Sequence, residues 1–133
     1  MDAPFYGDAA SPCAPGPLDG LWEYEVLELF LLFEGGGYLE LECGPHGHWL
    51  SLWFTRIRVP QSCPLPADVA ICIEGRQWYA RMRFPMVASR GRLIGGNACA
   101  IRGRGANRRF SSHVALPGEE PDFHQPERFV IWA

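Results

Sequence analysis

Between residues 22 and 114 the chain alternates short apolar runs with turn-forming clusters, and inside the runs Leu, Val, Ile, Phe, Trp and Tyr tend to recur at every second position. That period belongs to strands with one buried face, and no segment carries an apolar stripe of helical period. The pattern predicts strands at 22–33, 38–43, 48–56, 69–74, 77–84, 97–102 and 108–114, with turns at EGGGY, CGPHGH and IEGRQW. Together they make an all-β domain over residues 21–133, as expected of a sandwich or a barrel. Residues 1–20, MDAPFYGDAASPCAPGPLDG, hold four prolines and three glycines with neither period, and read as an extended segment.

The CGPHGH hairpin decides which side chains share a face. With Gly44–Gly47 as the loop, Cys43 faces His48, and the pairs Glu42 with Trp49, Leu41 with Leu50, Glu40 with Ser51, Leu39 with Leu52 and Tyr38 with Trp53 follow. One face is then Leu39, Leu41, Leu50, Leu52 and Phe54; the other is Tyr38, Glu40, Glu42, Trp49, Ser51 and Trp53. Rings beside carboxylates suit a sugar, whose C–H faces stack on indole and whose hydroxyls donate to carboxylates. A solvated outer sheet face has the same composition, so both readings stay open.

In strand 77–84, Trp78, Ala80, Met82 and Phe84 alternate with Gln77, Tyr79, Arg81 and Arg83, and the two arginines could pair with Glu40 and Glu42. Glu28 falls by parity between Val26 and Phe30 on an apolar face. A buried, unpaired carboxylate is costly, so either a bulge turns Glu28 outward or it looks into a ligand site as a polar anchor.

Composition narrows the function classes. With 133 residues, 47% of them hydrophobic, and a mean hydropathy of -0.09, the chain can close one core. No run of 18 apolar residues and no basic, then apolar, N-terminal block occurs, which predicts a cytoplasmic protein without a membrane span. Five cysteines, at 13, 43, 63, 72 and 99, include no Cys-x-x-Cys pair and predict reduced thiols. The net charge is -3, and nine of the fifteen acids precede residue 55 while eleven of the twelve arginines lie from 56 to 109. Scattered arginines in an acidic domain argue against a nucleic-acid partner and for pairing across strands.

LWEYEVLELFLL, YLELECGPHGHWL, NACAIRG and PDFHQPERF resemble, in that order, a small uncharacterised protein family with a DOMON-like fold, related to the family 9 carbohydrate-binding modules. The resemblance runs from about Ala3 to Phe129. It implies an antiparallel, jelly-roll-like β-sandwich whose relatives bind sugars, or in some DOMON domains haem, and no enzymatic activity. The matching polar and aromatic positions are Trp22, Glu25, Glu28, Glu40, His46, Trp49, Asp122 and His124. Two departures stand out. β-structure that the family places ahead of APFYGD is missing, which would leave an open sheet edge for a homodimer. Arg102 also stands where relatives often carry His.

Rival chemistries are weaker. Cys43-x-x-His46-x-His48 offers metal ligands, but alternation sends Cys43 and His48 to the core face, and a closed zinc site needs four ligands. Met82, Met86, His113 and His124 form no recognisable haem ligand pair. Glu40 and Glu42 have the spacing of an inverting glycosidase pair, as does every Glu-x-Glu on a strand. The sequence therefore predicts a non-catalytic small-ligand-binding module without a cofactor, a saccharide being the leading ligand class. Trp22 and Trp49 would stack on the ligand while Glu25, Glu28 and His46 hold its hydroxyls, with Glu40 and His124 nearby. The alternative is a protein-interaction or truncated structural domain.

Overall fold

Leu-, Val- and aromatic-rich runs flanked by glycine turns form strands as the alternation requires, and the computed structural model describes residues 1–61, 65–85 and 91–132. The strands are β1 (Asp2–Pro4), β2 (Gly16–Pro17), β3 (Val26–Phe33), β4 (Tyr38–Cys43), β5 (His48–Arg56), β6 (Val59–Pro60), β7 (Asp68–Glu74), β8 (Gln77–Arg83), β9 (Leu93–Arg102), β10 (Arg109–Ser112) and β11 (Val130–Ile131). No α-helix occurs among the described residues. The larger sheet runs β10-β9-β3-β4-β5-β2, with β11 also on β9 and β6 also on β5. The smaller runs β1-β8-β7. Every pairing is antiparallel except β2 with β5.

The large sheet is buried on both faces. On one, Leu29, Leu31, Leu39, Leu41 and Trp53 meet Met82 and Phe84, while Cys43 and Leu27 meet Trp78, Ala80, Val69 and Ile71 of the small sheet. On the other, Val26, Phe30, Tyr38, Phe54 and Ile101 are covered by Leu21 and by Phe123 and Phe129 of the C-terminal segment. Each fully buried aliphatic or aromatic side chain here stabilises by about 1.5–3 kcal/mol. All six residues of β4 are consequently buried, Glu40 and Glu42 among them.

The hairpin register differs from the expected one by a single residue. Cys43 pairs with Trp49, Glu42 with Leu50, Leu41 with Ser51, Glu40 with Leu52, Leu39 with Trp53 and Tyr38 with Phe54. Gly47, at φ 90°, admits an extra residue, and the Gly44 N–H bonds to the His48 carbonyl at 2.9 Å. A one-residue slip exchanges the faces of the return strand. Tyr38, Glu40 and Glu42 thus share a face with Leu50, Leu52 and Phe54, whereas Trp49 and Trp53 lie behind them with Leu39 and Leu41.

Other expectations change as well. The predicted strand 22–33 starts only at Val26, because Leu21–Glu23 form a 3₁₀ turn entered through Gly20 in the left-handed region at φ 80°. The predicted strand 97–102 begins four residues earlier, at Leu93. Gly95 and Gly96 look like strand breakers but are demanded by close packing: a Cβ would lie 2.2 Å from the Val130 carbonyl at the first and 2.3 Å from that of Phe30 at the second. Arg81 and Arg83 sit on the small sheet and do not reach Glu40 and Glu42; Arg83 lies 3.9 Å from Asp68 at an exposed site.

Residues 1–20 are more ordered than an extended segment. β1 pairs with β8 and β2 with β5, so the segment ties one sheet to the other. Between them the Glu25 carboxylate accepts the amides of Tyr6 at 3.1 Å and Asp8 at 3.2 Å. Asp8 in turn accepts the Gly103 amide. His46 and His48 donate through Nε2 to the carbonyls of Asp8 at 2.9 Å and Cys13 at 3.1 Å.

Candidate functional site

Strict alternation along β3, with no bulge before Leu32, carries Glu28 to the face under the C-terminal segment. Glu42 is its cross-strand partner on β4, and Glu40 lies one pair further on the same face, opposite Phe30. The C-terminal segment does not seal this face. It leaves a cleft of about 390 Å³ with Glu28 and Glu40 at its floor, a size typical of small-molecule sites. Leu52 and Phe54 of β5, Ile101 of β9 and Phe110 of β10 add apolar walls. Asp19 and Trp22 from the entry turn form one rim; Arg58, Pro60, Asp122, Phe123 and His124 form the other.

Trp22 is 41% exposed, a large ring left open at the rim. Arg108 holds it there by donating to the carbonyls of Trp22 and Glu23, with its guanidinium over the Phe110 ring. Arg58 adopts φ 57°, unusual for a residue with a Cβ. Its amide donates to the Tyr38 hydroxyl at 3.1 Å and its guanidinium to Asp122 at 2.7 Å, which together hold the strained turn. Asp122 also accepts the His124 amide at 2.9 Å.

Burial dominates the electrostatics. Desolvation lifts Glu28 from 4.5 to about 7, with Arg108 opposing. It lifts Glu40 to about 8, helped by the charge of Glu28 and opposed by Arg58. Glu42 is 1% exposed, neither of its carboxyl oxygens has a hydrogen-bond partner among the described residues, and burial raises it well above the ordinary value. Burial, with Arg58 nearby, lowers His124 from 6.5 to about 4, so its ring is neutral. Its Nδ1 is 2.8 Å from the Tyr38 hydroxyl, and its Nε2 is 3.8 Å from Glu40. Since Tyr38 already accepts the Arg58 amide, the simplest assignment has the hydroxyl donate to Nδ1, leaving the ring proton on Nε2 facing Glu40.

Trp22, Glu28, Glu40 and His124, four of the predicted site residues, come together in this cleft. Glu25, His46 and Trp49 do not. Glu25 and His46 hold the N-terminal segment, and Trp49 lies on the opposite face of the sheet, beside Cys43 and Pro17. Arg58, Phe110 and Phe123 went unnoticed as site residues: Arg58 is recruited by a turn, Phe110 lies in the predicted strand 108–114 but reaches the cleft only through the pairing of β10 with β9, and Phe123 lies in a motif without a period.

The grouping Cys43, His46, His48 disperses, and no set of three His, Cys, Asp or Glu able to hold a metal exists among the described residues. Burial pushes the Cys43 and Cys99 thiols up to about 12, so both stay protonated at neutral pH. Cys13, Cys43, Cys72 and Cys99 are free thiols; Cys63 and Met86 lie outside the described residues. No helix among the described residues is long and apolar enough to cross a membrane.

The chain is similar to three vertebrate proteins of one name, UPF0462 protein C4orf33 or its homologues. It is 35% identical to the zebrafish protein over 97% of this chain and 70% of that one. Identity is 32% to the mouse protein, covering 97% and 72%, and 31% to the human protein, covering 97% and 69%. No family model matches the chain, and no solved structure matches it.

Proposed function

The chain belongs to the UPF0462 family, and from that premise we propose that it is a non-catalytic small-ligand-binding module whose ligand sits in the cleft over Glu28 and Glu40, a saccharide being the leading ligand class. One observation carries this reading: Glu28, only 4% exposed, faces the cleft with no hydrogen-bond partner among the described residues. A buried polar group is normally partnered, and a ligand hydroxyl or amine would supply what the fold withholds. Trp22 offers the stacking surface, Asp122 and Arg58 offer polar contacts at the rim, and Glu40 at the floor with His124 on the rim beside it offers a donor and an acceptor. We read the two packed sheets as DOMON-like with jelly-roll character, in which such a site lies on the face of the larger sheet.

Tryptophan fluorescence and thermal shift against mono- and oligosaccharides, with haem and zinc included, test the proposal. A saturable saccharide response abolished in Trp22→Ala and kept in Trp49→Ala supports it. A well-folded sample silent across the panel overturns it in favour of a protein partner.

A further inference from the structure

From the same cleft, and resting on the reading that it is a ligand site, we infer that the ligand carries a basic nitrogen, a free ammonium group seated on Glu28 and Glu40 with its carbon skeleton against Trp22. Within the saccharide class this means a sugar with an unacetylated amine.

The charges around the cleft carry the inference. Asp19, Glu28, Glu40 and Asp122 line it, with Glu42 buried behind them. Arg58 is the cation that lines it, and Asp122 already engages its guanidinium at 2.7 Å. Arg108 is turned to the carbonyls of Trp22 and Glu23. His124 is occupied through Nδ1 by Tyr38 and is neutral. Once the Arg58–Asp122 ion pair is discounted, the cleft holds acids in excess, so an anionic ligand would find no free counter-charge among the residues lining it.

A neutral hydroxyl could satisfy Glu28, but it brings no counter-charge, so Glu28 and Glu40 would stay protonated and its hydrogen bonds would be neutral ones. An ammonium group satisfies both with charge-assisted hydrogen bonds, which are about twice as strong as neutral ones. The walls agree: the Trp22, Phe54, Phe110 and Phe123 rings line the same space, and aromatic faces attract cations. When a neutral amine enters, a proton passes from a carboxyl oxygen to the nitrogen; when the amine is already charged, the carboxyl releases its proton to solvent. Either way the bound state is an ion pair.

Calorimetry on the full chain at neutral pH tests this with glucosamine oligomers against N-acetylglucosamine oligomers of equal length, and with tryptamine as an amine that is not a sugar. The expected result is at least a tenfold tighter binding of the free-amine oligomer, an advantage removed in Glu28→Gln and in Glu40→Gln. Trp22→Ala, at an exposed rim position, should weaken both oligomers while the chain stays folded. Equal binding of the two oligomers overturns the inference and leaves the saccharide reading standing. Binding of tryptamine alone upholds the basic nitrogen and removes the saccharide. Silence from all three probes in a folded sample removes both.

Discussion

The Tyr38 hydroxyl lies 2.8 Å from His124 Nδ1 and 3.1 Å from the Arg58 amide, joining β4, the β5–β6 turn and the C-terminal segment at one oxygen. Tyr38 is fully buried and its ring stacks on Phe54 at 4.8 Å. Tyr38→Phe keeps the stack and strands two partners, so it should cost about 1–3 kcal/mol in urea unfolding. A cost near zero would show that neither hydrogen bond contributes to stability.

Stability should fall as pH rises above neutrality. Glu28 and Glu40 titrate near 7 and 8 when folded, against 4.5 for an ordinary Glu. Folded chains therefore keep protons that unfolded chains have released, and the stabilisation present below pH 4.5 is lost as pH passes through 7 and 8. His124 acts oppositely: depressed from 6.5 to about 4, it destabilises as pH drops from 6.5 towards 4. Glu42, also raised, adds to the carboxyl side, while Arg58 and Arg108 oppose it. Between pH 6.5 and 8.5 the loss should be on the order of a few kcal/mol. Melting curves of Glu40→Gln should show a flatter profile; an unchanged slope would remove Glu40 as its source.

Glu42 should be dispensable for folding. Both of its oxygens are buried without partners among the described residues, so Glu42→Leu removes desolvation cost at little loss of contact. Unfolding at pH 8 should show the variant as stable as the parent or more stable by about 1 kcal/mol. A marked loss would mean that Glu42 holds a proton in common with Glu28.

Glu25→Ala should release the N-terminal segment and spare the cleft. Two amides, those of Tyr6 and Asp8, depend on its carboxylate. Hydrogen bonds to a charged group contribute about 1.5–3 kcal/mol, so proteolysis within residues 5–15 should accelerate at least tenfold. Ligand response should persist, since Glu25 does not line the cleft.

Most of the fold could be read from period two and turn chemistry. β4, β5 and β8 sit within a residue of their predicted spans because each combines alternation with a glycine turn. Membership of the two sheets was not readable, since it depends on long-range pairing such as that of β3 with β9. The platform of Tyr38, Glu40, Glu42, Trp49, Ser51 and Trp53 broke apart on one left-handed glycine, Gly47, which alternation cannot register. Glu28 was legible through parity alone. The cover over it was not, because residues 115–129 carry no period and fold by docking Phe123 and Phe129 onto the sheet.

Burial of three glutamates on one sheet face also bears on how the chain is made. β3, β4 and β5 leave the ribosome well before β9 and the segment around Phe123 that close over that face. Until closure Glu28, Glu40 and Glu42 meet water and are ionised, because the desolvation that raises their pKa is absent. A meander rich in leucine would otherwise present a sticky face to its neighbours; adjacent negative charges keep two such faces from stacking. Folding then takes up protons as the cover docks. The same carboxyls thus act first as solubilising charges on a nascent sheet and later as the neutral floor of the cleft.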